Sequence, residues 1–403
     1  MKIVLAAILL TALVVIGSRI SVIHLILARI ERVPGVRHLL LTGTEFVLVG
    51  LLLGTHVGFG VLDGATLSGL APAFGLGLAW IGLLFGIQWD LRRLPPTTRA
   101  LIPASIAQAA GTGIFVAVGT KALLLTLGWS AASSWLGALS LGAAAAGTAG
   151  IPDSIRTDAG LQRLLRTVAD VDGVVPILTF GLVCCMPLLH GGNPQWWVWL
   201  AFSVGLGLAV GLILIVLGTY RLSEDDLLVV LFGAVLLSGG TALQLSLSPL
   251  LVNAIAGVLI ANVARPRTCA AIRRLLLEGD RAVYILFLLL AGALWNPTPD
   301  SSLALALLYV VVRIVGKWLS AHWALRNWLP KEQLRRAGLG LVSHDGLAVA
   351  IAVNLRLLTD SPMADLVTTV VLVGVMINEL MAPLMAATAV TAVTAAGEGE
   401  APA

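Results

Sequence analysis

The chain reads as an all-α polytopic membrane protein, and three observations carry that reading. Of its 403 residues 58% are hydrophobic and only 11% charged, against roughly a quarter charged in an average soluble domain, and the mean hydropathy is +0.99. Apolar windows of about 20 residues, the length a helix needs to cross a bilayer, recur from end to end. Basic residues gather in every second connecting loop, the pattern that fixes orientation in a membrane. The formal charge of +4 therefore belongs to short loops, and no nucleic-acid partner is expected.

In order, the windows predict about thirteen transmembrane helices. They fall at 3–28, 38–54, 68–90, 99–127, 131–150, 160–189, 194–220, 225–246, 249–264, 281–295, 301–326, 334–356 and 362–388. The first is expected to be an uncleaved helix, because no small-residue cleavage site follows it closely. One side carries Arg29, Arg32 and Arg37; Arg92, Arg93 and Arg99; Arg156, Arg163 and Arg166; Arg265, Arg267, Arg273 and Arg274; and Lys331, Arg335 and Arg336. The alternate loops, such as Thr55 to Leu67 and His190 to Pro194, carry none. The N-terminus is thus expected outside and the C-terminus in the cytoplasm of a bacterial inner membrane. Cys184, Cys185 and Cys269 form neither a metal spacing nor a disulfide framework. Residues 389–403, rich in Ala, Thr, Gly and Glu, are predicted to be a disordered tail.

Against this background the buried ionisable residues stand out. Asp172, with Asp170 just before it, falls in the apolar stretch Thr167 to Leu189, and Arg313 and Lys317 lie four apart in another, Leu303 to Leu325. A charge at the centre of a transmembrane helix costs about 2.5 to 3.5 kcal/mol on insertion scales, and such residues mark ion or proton pathways. Two predicted spans are also interrupted in corresponding ways. The fifth runs into Gly147, Thr148, Ala149, Gly150, Ile151 and Pro152, and the twelfth contains Gly338, Gly340, Ser343, His344, Asp345 and Gly346. Irregular backbone at membrane depth survives where it lines a cavity or is buried in protein, and paired broken helices in two halves point to an inverted-repeat transporter. Spans four to six and eleven to thirteen would be the two triplets, with Asp172 and Lys317 flanking the crossing.

Several segments resemble the monovalent cation:proton antiporter (sodium/hydrogen exchanger) superfamily, its bacterial second branch in particular. They are GLLFGIQWDLRRL (82–94), SPLLVNAIAGVLIAN (248–262), Arg313 with Gly316 and Lys317, GLGLVSHDGLAVAIA (338–352) and INELMAPL (377–384). The resemblance implies an inverted-repeat antiporter fold with two crossed, broken helices, in a homodimer surrounded by lipid. Dimerisation-domain helices would occupy 1–98, the first half of the ion-binding core 99–189, dimerisation and linker helices 190–299, and the second half of the core 300–388. It also implies that cation and proton alternate on one carboxylate, normally the second of an adjacent polar pair. Here the chain reads Ala169, Asp170, Val171, Asp172, Gly173. Aligning Asp172 with the second acid leaves Val171 in the polar partner's place, aligning it with the first leaves Gly173 in the acid's place, and the former is favoured.

The chemistry expected of the site is exchange. A carboxylate in a half-dry cavity can hold a proton from one side and give it up for a hard monovalent cation, and competition for one position couples the two flows. Asp172, Asp170, Lys317 and Thr148 are the candidate ion- and proton-binding residues, Asp172 being the ligand of the monovalent cation. Arg313, His344, Asp345, Asn378, Glu379 and Glu45 are accessory candidates, Arg313 equally as an anchor for backbone carbonyls. On a helix Asp170 points about 200° from Asp172, so the two do not form a side-by-side pair. The cargo would be Na+ or K+ against H+, with no cofactor. The chain holds no His-Glu-x-x-His, Gly-x-Ser-x-Gly or Gly-x-Gly-Asp motif, so enzymatic activity is not expected. The alternative is a non-exchanging relative acting as a cation channel or a membrane sensor.

Overall fold

The computed structural model describes residues 2–19, 43–55, 58–92, 94–149, 159–192, 195–220, 223–297, 301–344 and 346–397. Sixteen α-helices account for nearly all of them. The first four are α1 (Lys2–Arg19), α2 (Glu45–Leu53), the short α3 (Gly64–Gly69) and α4 (Ala71–Ile87). A first helical triplet follows, with α5 (Pro96–Thr126), α6 (Ala131–Ala146) and the nearly continuous α7 and α8 (Ala159–Asp172, Val174–Cys184). Next come α9 (Trp196–Leu217), α10 (Glu224–Gln244), α11 (Pro249–Val263) and α12 (Pro266–Leu294). The chain closes with a second triplet, α13 (Ser301–Ala324), the broken pair α14 and α15 (Lys331–Gly340, Gly346–Leu358) and α16 (Pro362–Gly397). Among the described residues six helices are long and apolar enough to cross a membrane, and four shorter apolar helices accompany them. The chain is a multi-pass membrane protein.

Helix packing follows two sets. In the first, α5 packs on α6, α7 and α13, while α16 packs on α13 and α15, so the two triplets interlock. In the second, α11 lies along α4 and α9, α10 lies on α4, and α2 runs beside α12. With little hydrophobic drive between helices in lipid, close approach depends on small residues at the crossings. The α4–α11 crossing shows this directly. A Cβ on Gly86 would collide with the Ala254 carbonyl, and one on Gly257 with the Leu83 carbonyl. Backbone is in contact with backbone there, and no side chain can move aside.

Helix ends follow local sequence. Ser130 caps α6, accepting from Ser133 N at 3.2 Å, and Ser223 caps α10, accepting from Asp226 N at 3.1 Å; these side-chain oxygens satisfy amides that have no partner inside the helix. Pro249 and Pro266 open α11 and α12, at a position where proline's missing N–H costs nothing.

The structure corrects three sequence expectations. Residues 265–280, taken as a basic loop, form the first half of α12, which is one helix of 29 residues. The Arg residues there mask an amphipathic helix whose Ile272, Leu275 and Leu276 are buried. The predicted sixth span stops at Cys184 and is followed by a 3-10 turn, Pro187–Leu189. Residues 389–397 of the expected disordered tail continue α16 to Gly397, and 398–403 lie outside the described residues.

If the α4–α11 crossing sets the packing, Gly86→Ala lowers the thermal midpoint of the detergent-purified protein, at an overpacking cost of about 1–3 kcal/mol. Gly233→Ala in α10, with nothing within 4 Å of the added methyl, holds or raises it, because alanine is the better helix former by about 0.5–1 kcal/mol. Equal midpoints for the two variants would contradict this account of the crossing.

Candidate ion-binding site

Each triplet contains a helix that unwinds in the middle of the packed bundle. In the first, α6 ends at Ala146 and Gly147 turns extended (φ −70°, ψ 157°). In the second, α14 ends at Gly340, and residues 342–344 form no regular structure before α15 begins at Gly346. The two unwound segments meet, with Ala149 N donating to Ser343 O at 3.3 Å. Backbone groups freed in this way find no water in an apolar layer and need partners from the protein.

Helix α13 supplies them. Arg313 and Lys317 lie one turn apart and are both fully buried. The Arg313 guanidinium donates from Nε to Ala145 O at 3.2 Å and from Nη2 to Gly147 O at 2.9 Å and Ser343 O at 3.2 Å, and its Nη1 donates to Val342 O. It thus ties the C-terminal ends of both half-helices together, where the helix dipole favours positive charge. Only the planar fork of an arginine reaches four carbonyls on two segments at once.

Lys317 holds the ionic centre. Its Nζ donates to Ala146 O at 2.6 Å, to Thr148 Oγ1 at 2.6 Å and to Asp172 Oδ2 at 3.3 Å, which uses all three ammonium donors. Asp172, at the end of α7 and fully buried, accepts Thr148 N on Oδ1 at 3.2 Å and the Thr148 hydroxyl on Oδ2. Asp172, Thr148 and Lys317 therefore form one closed cluster that joins the two triplets. The sequence placed these three together, and they do meet.

The other expected residues fall differently. Asp170 is exposed while Val168, Ala169, Val171 and Asp172 are buried, so the two acids face opposite ways as the helical period requires. Glu379, fully buried on α16, accepts His344 N at 3.0 Å and the Ser343 hydroxyl at 3.4 Å. His344 Nε2 meets the Tyr309 hydroxyl at 3.4 Å. Asn378 is buried beside Glu379, and its amide donates to Gly374 O at 2.8 Å within the same helix. Glu45 starts α2, half-buried and within reach of the Arg281 charge. Asp345 lies outside the described residues. Asp280 and Tyr284 were not anticipated. They line a cavity of about 340 Å³ between α4, α12 and the crossing, one turn apart in the middle of α12.

These elements define a class: a polytopic membrane fold built on two interlocked triplets with broken helices that meet at a buried ion pair. No family model and no curated protein matches the chain. Among solved structures, the sodium proton antiporter MjNhaP1 from Methanocaldococcus jannaschii, determined at pH 8, has a TM-score of 0.67 to this chain. At 15% identity the likeness covers 97% of this chain and 100% of that one, so the chain has an antiporter fold.

Removing Lys317 leaves a buried carboxylate without its counter-charge, which costs about 3–5 kcal/mol. Lys317→Ala is therefore expected to lower the thermal midpoint strongly. Arg313→Lys, which keeps the charge but loses the fork, lowers it as well. A midpoint unmoved by Arg313→Lys would show that the guanidinium does not hold the crossing.

Proposed function

We propose that the chain is a secondary active transporter that exchanges a monovalent cation, Na+ or K+, for protons by alternating access at Asp172. One observation carries this reading: a fully buried carboxylate whose partners are the unwound segment of its own triplet and a lysine of the other. The antiporter fold supports it.

The chemistry follows from the three possible occupants of Asp172. Lys317 fills the position in the arrangement described above. A proton on the carboxylate cancels its charge and loosens the ammonium, and a hard cation competes for the same oxygen. Oxygen ligands of the kind such a cation prefers stand alongside in the Thr148 hydroxyl and the Ala146 carbonyl, both within 2.6 Å of the lysine nitrogen. Because the three exclude one another, uptake of one requires release of another, and no second gate is needed to couple the flows. A single carboxylate gives one-for-one exchange unless Lys317 also releases its proton. Arg313 and Glu379 would keep the crossing intact while Asp172 changes partners. Helices α9 and α10, which expose Leu212, Ile213, Val216, Val229, Phe232 and Leu237, would face lipid and a second copy in a homodimer. The orientation would be N-terminus out and C-terminus in, in a bacterial inner membrane.

In proteoliposomes carrying a pH-sensitive dye, Asp172→Asn is expected to insert normally and to lose cation-triggered proton movement. Wild-type flux in that variant would sink the assignment, and unsaturable, uncoupled flux in wild type would favour a channel. Lys317→Ala removes the charge that favours ionised Asp172, so the carboxylate keeps its proton to higher pH and the activity profile moves upward in pH. An unchanged profile would separate Lys317 from the carrier step. Asp170→Asn is expected to alter apparent affinity by at most a few fold and to leave the dependence of rate on an imposed membrane potential as it was. A potential dependence that vanishes with Asp170 would show that Asp170 carries a second proton.

A further inference from the structure

Glu379 occupies in the second triplet the place that Asp172 has in the first. Each lies on the last helix of its triplet, α16 and α7, and each is fully buried. Each accepts a backbone N–H from the unwound segment of its own broken helix, Thr148 N to Asp172 at 3.2 Å and His344 N to Glu379 at 3.0 Å. Their surroundings then diverge. Asp172 meets the Lys317 ammonium, and Glu379 lines the cavity of about 340 Å³ beside the crossing.

That cavity is suited to a hydrated ion. At about 30 Å³ per water it has room for roughly ten. The residues lining it include several that carry hard oxygen donors, Glu379, Asp280, Gln88, Thr44 and Tyr284. His344 also lines it, only 3% exposed, and its ring Nδ1 has no hydrogen-bond partner. A buried ring nitrogen left in that state costs about 1–3 kcal/mol, a penalty that an ion's water shell removes. A cavity of that size has room for a cation together with part of its own water shell.

We propose that this cavity is a second cation site, in which a hydrated monovalent cation rests between Glu379 and Asp280 while Lys317 occupies Asp172. The inference rests on the exchange reading in one respect: the cation is taken to be its cargo. The site would let the protein bind its cation before Asp172 is vacated, and it separates binding from transport.

Equilibrium binding of radiolabelled Na+, and of Rb+ in place of K+, to the full-length chain in detergent tests it, alongside exchange in liposomes. Asp172→Asn is expected to lose exchange yet keep saturable binding of one of the two ions. Adding Glu379→Gln to that variant should weaken binding at least tenfold, and adding Asp280→Asn instead should weaken it a few fold. Glutamine retains a carbonyl oxygen for His344 N, and if Glu379→Gln nevertheless fails to fold, the half-buried Asp280 decides. Binding abolished by Asp172→Asn alone, binding unaffected by both cavity substitutions, or no saturable binding of either ion to wild type would each overturn the second site. A wild-type protein that binds the ion at the cavity without exchanging it would contradict the exchange reading and leave the second site standing.

Discussion

The rest of the structure depends on one constraint: two helices unwind inside an apolar layer, and every backbone group they release must find a partner there. Four ionisable side chains meet that need. Arg313 and Lys317 take carbonyls at the C-terminal ends of α6 and α14, and Asp172 and Glu379 take amides of Thr148 and His344. The signs are those that helix ends favour, cations at carbonyl termini and carboxylates at amides. Charges that would each be costly alone are tolerable because each cation donates to backbone carbonyls and each carboxylate accepts a backbone amide.

The same wiring explains why these positions suit ion exchange. A buried ion pair is weak evidence of stability in itself, and replacing one with apolar residues is often neutral or better. What Asp172 and Lys317 add is a contact that can be exchanged. If a proton or a cation replaces the ammonium on Asp172, the carboxylate keeps its Thr148 partners and Arg313 keeps both segments in place. The two triplets can then stay locked to each other while the ionic centre changes state. Under the proposed exchange, movement would fall at the boundary with α4 and α12, where the cavity lies. The α4–α11 pair, in glycine-mediated backbone contact, is stiff by comparison and fits the role of a fixed support.

Much of this was legible in the sequence, for a physical reason. Asp172, Arg313 and Lys317 are ionisable residues in apolar stretches, where chance rarely puts a charge, and Gly147, Ser343 and Gly346 interrupt apolar runs that would otherwise stay helical. The opposed directions of Asp170 and Asp172 followed from the helical period alone. The grouping of Lys317 with Asp172 and Thr148 was anticipated from the crossing, but Ala146 O as a further partner of Lys317 depends on where α6 unwinds, which no pattern sets to the residue. Asp280 was hidden because Arg273 and Arg274 make the start of α12 resemble a loop, and Tyr284 because it stands in an apolar span with no charge of its own to mark it. The partners of Glu379 could not be read because they come from a segment 35 residues earlier, across a turn whose geometry is tertiary.

The central claim, that proton and cation compete for the buried carboxylate, is tested most directly by proton release. Na+ or K+ is added to the detergent-purified protein in weakly buffered solution, and the protons set free per chain are counted as a function of cation concentration and pH. The account predicts saturable release that is largest at the more acidic pH values, where the carboxylate is protonated and must give up its proton, and absent in Asp172→Asn. Saturable cation binding with no protons released at any pH would contradict it.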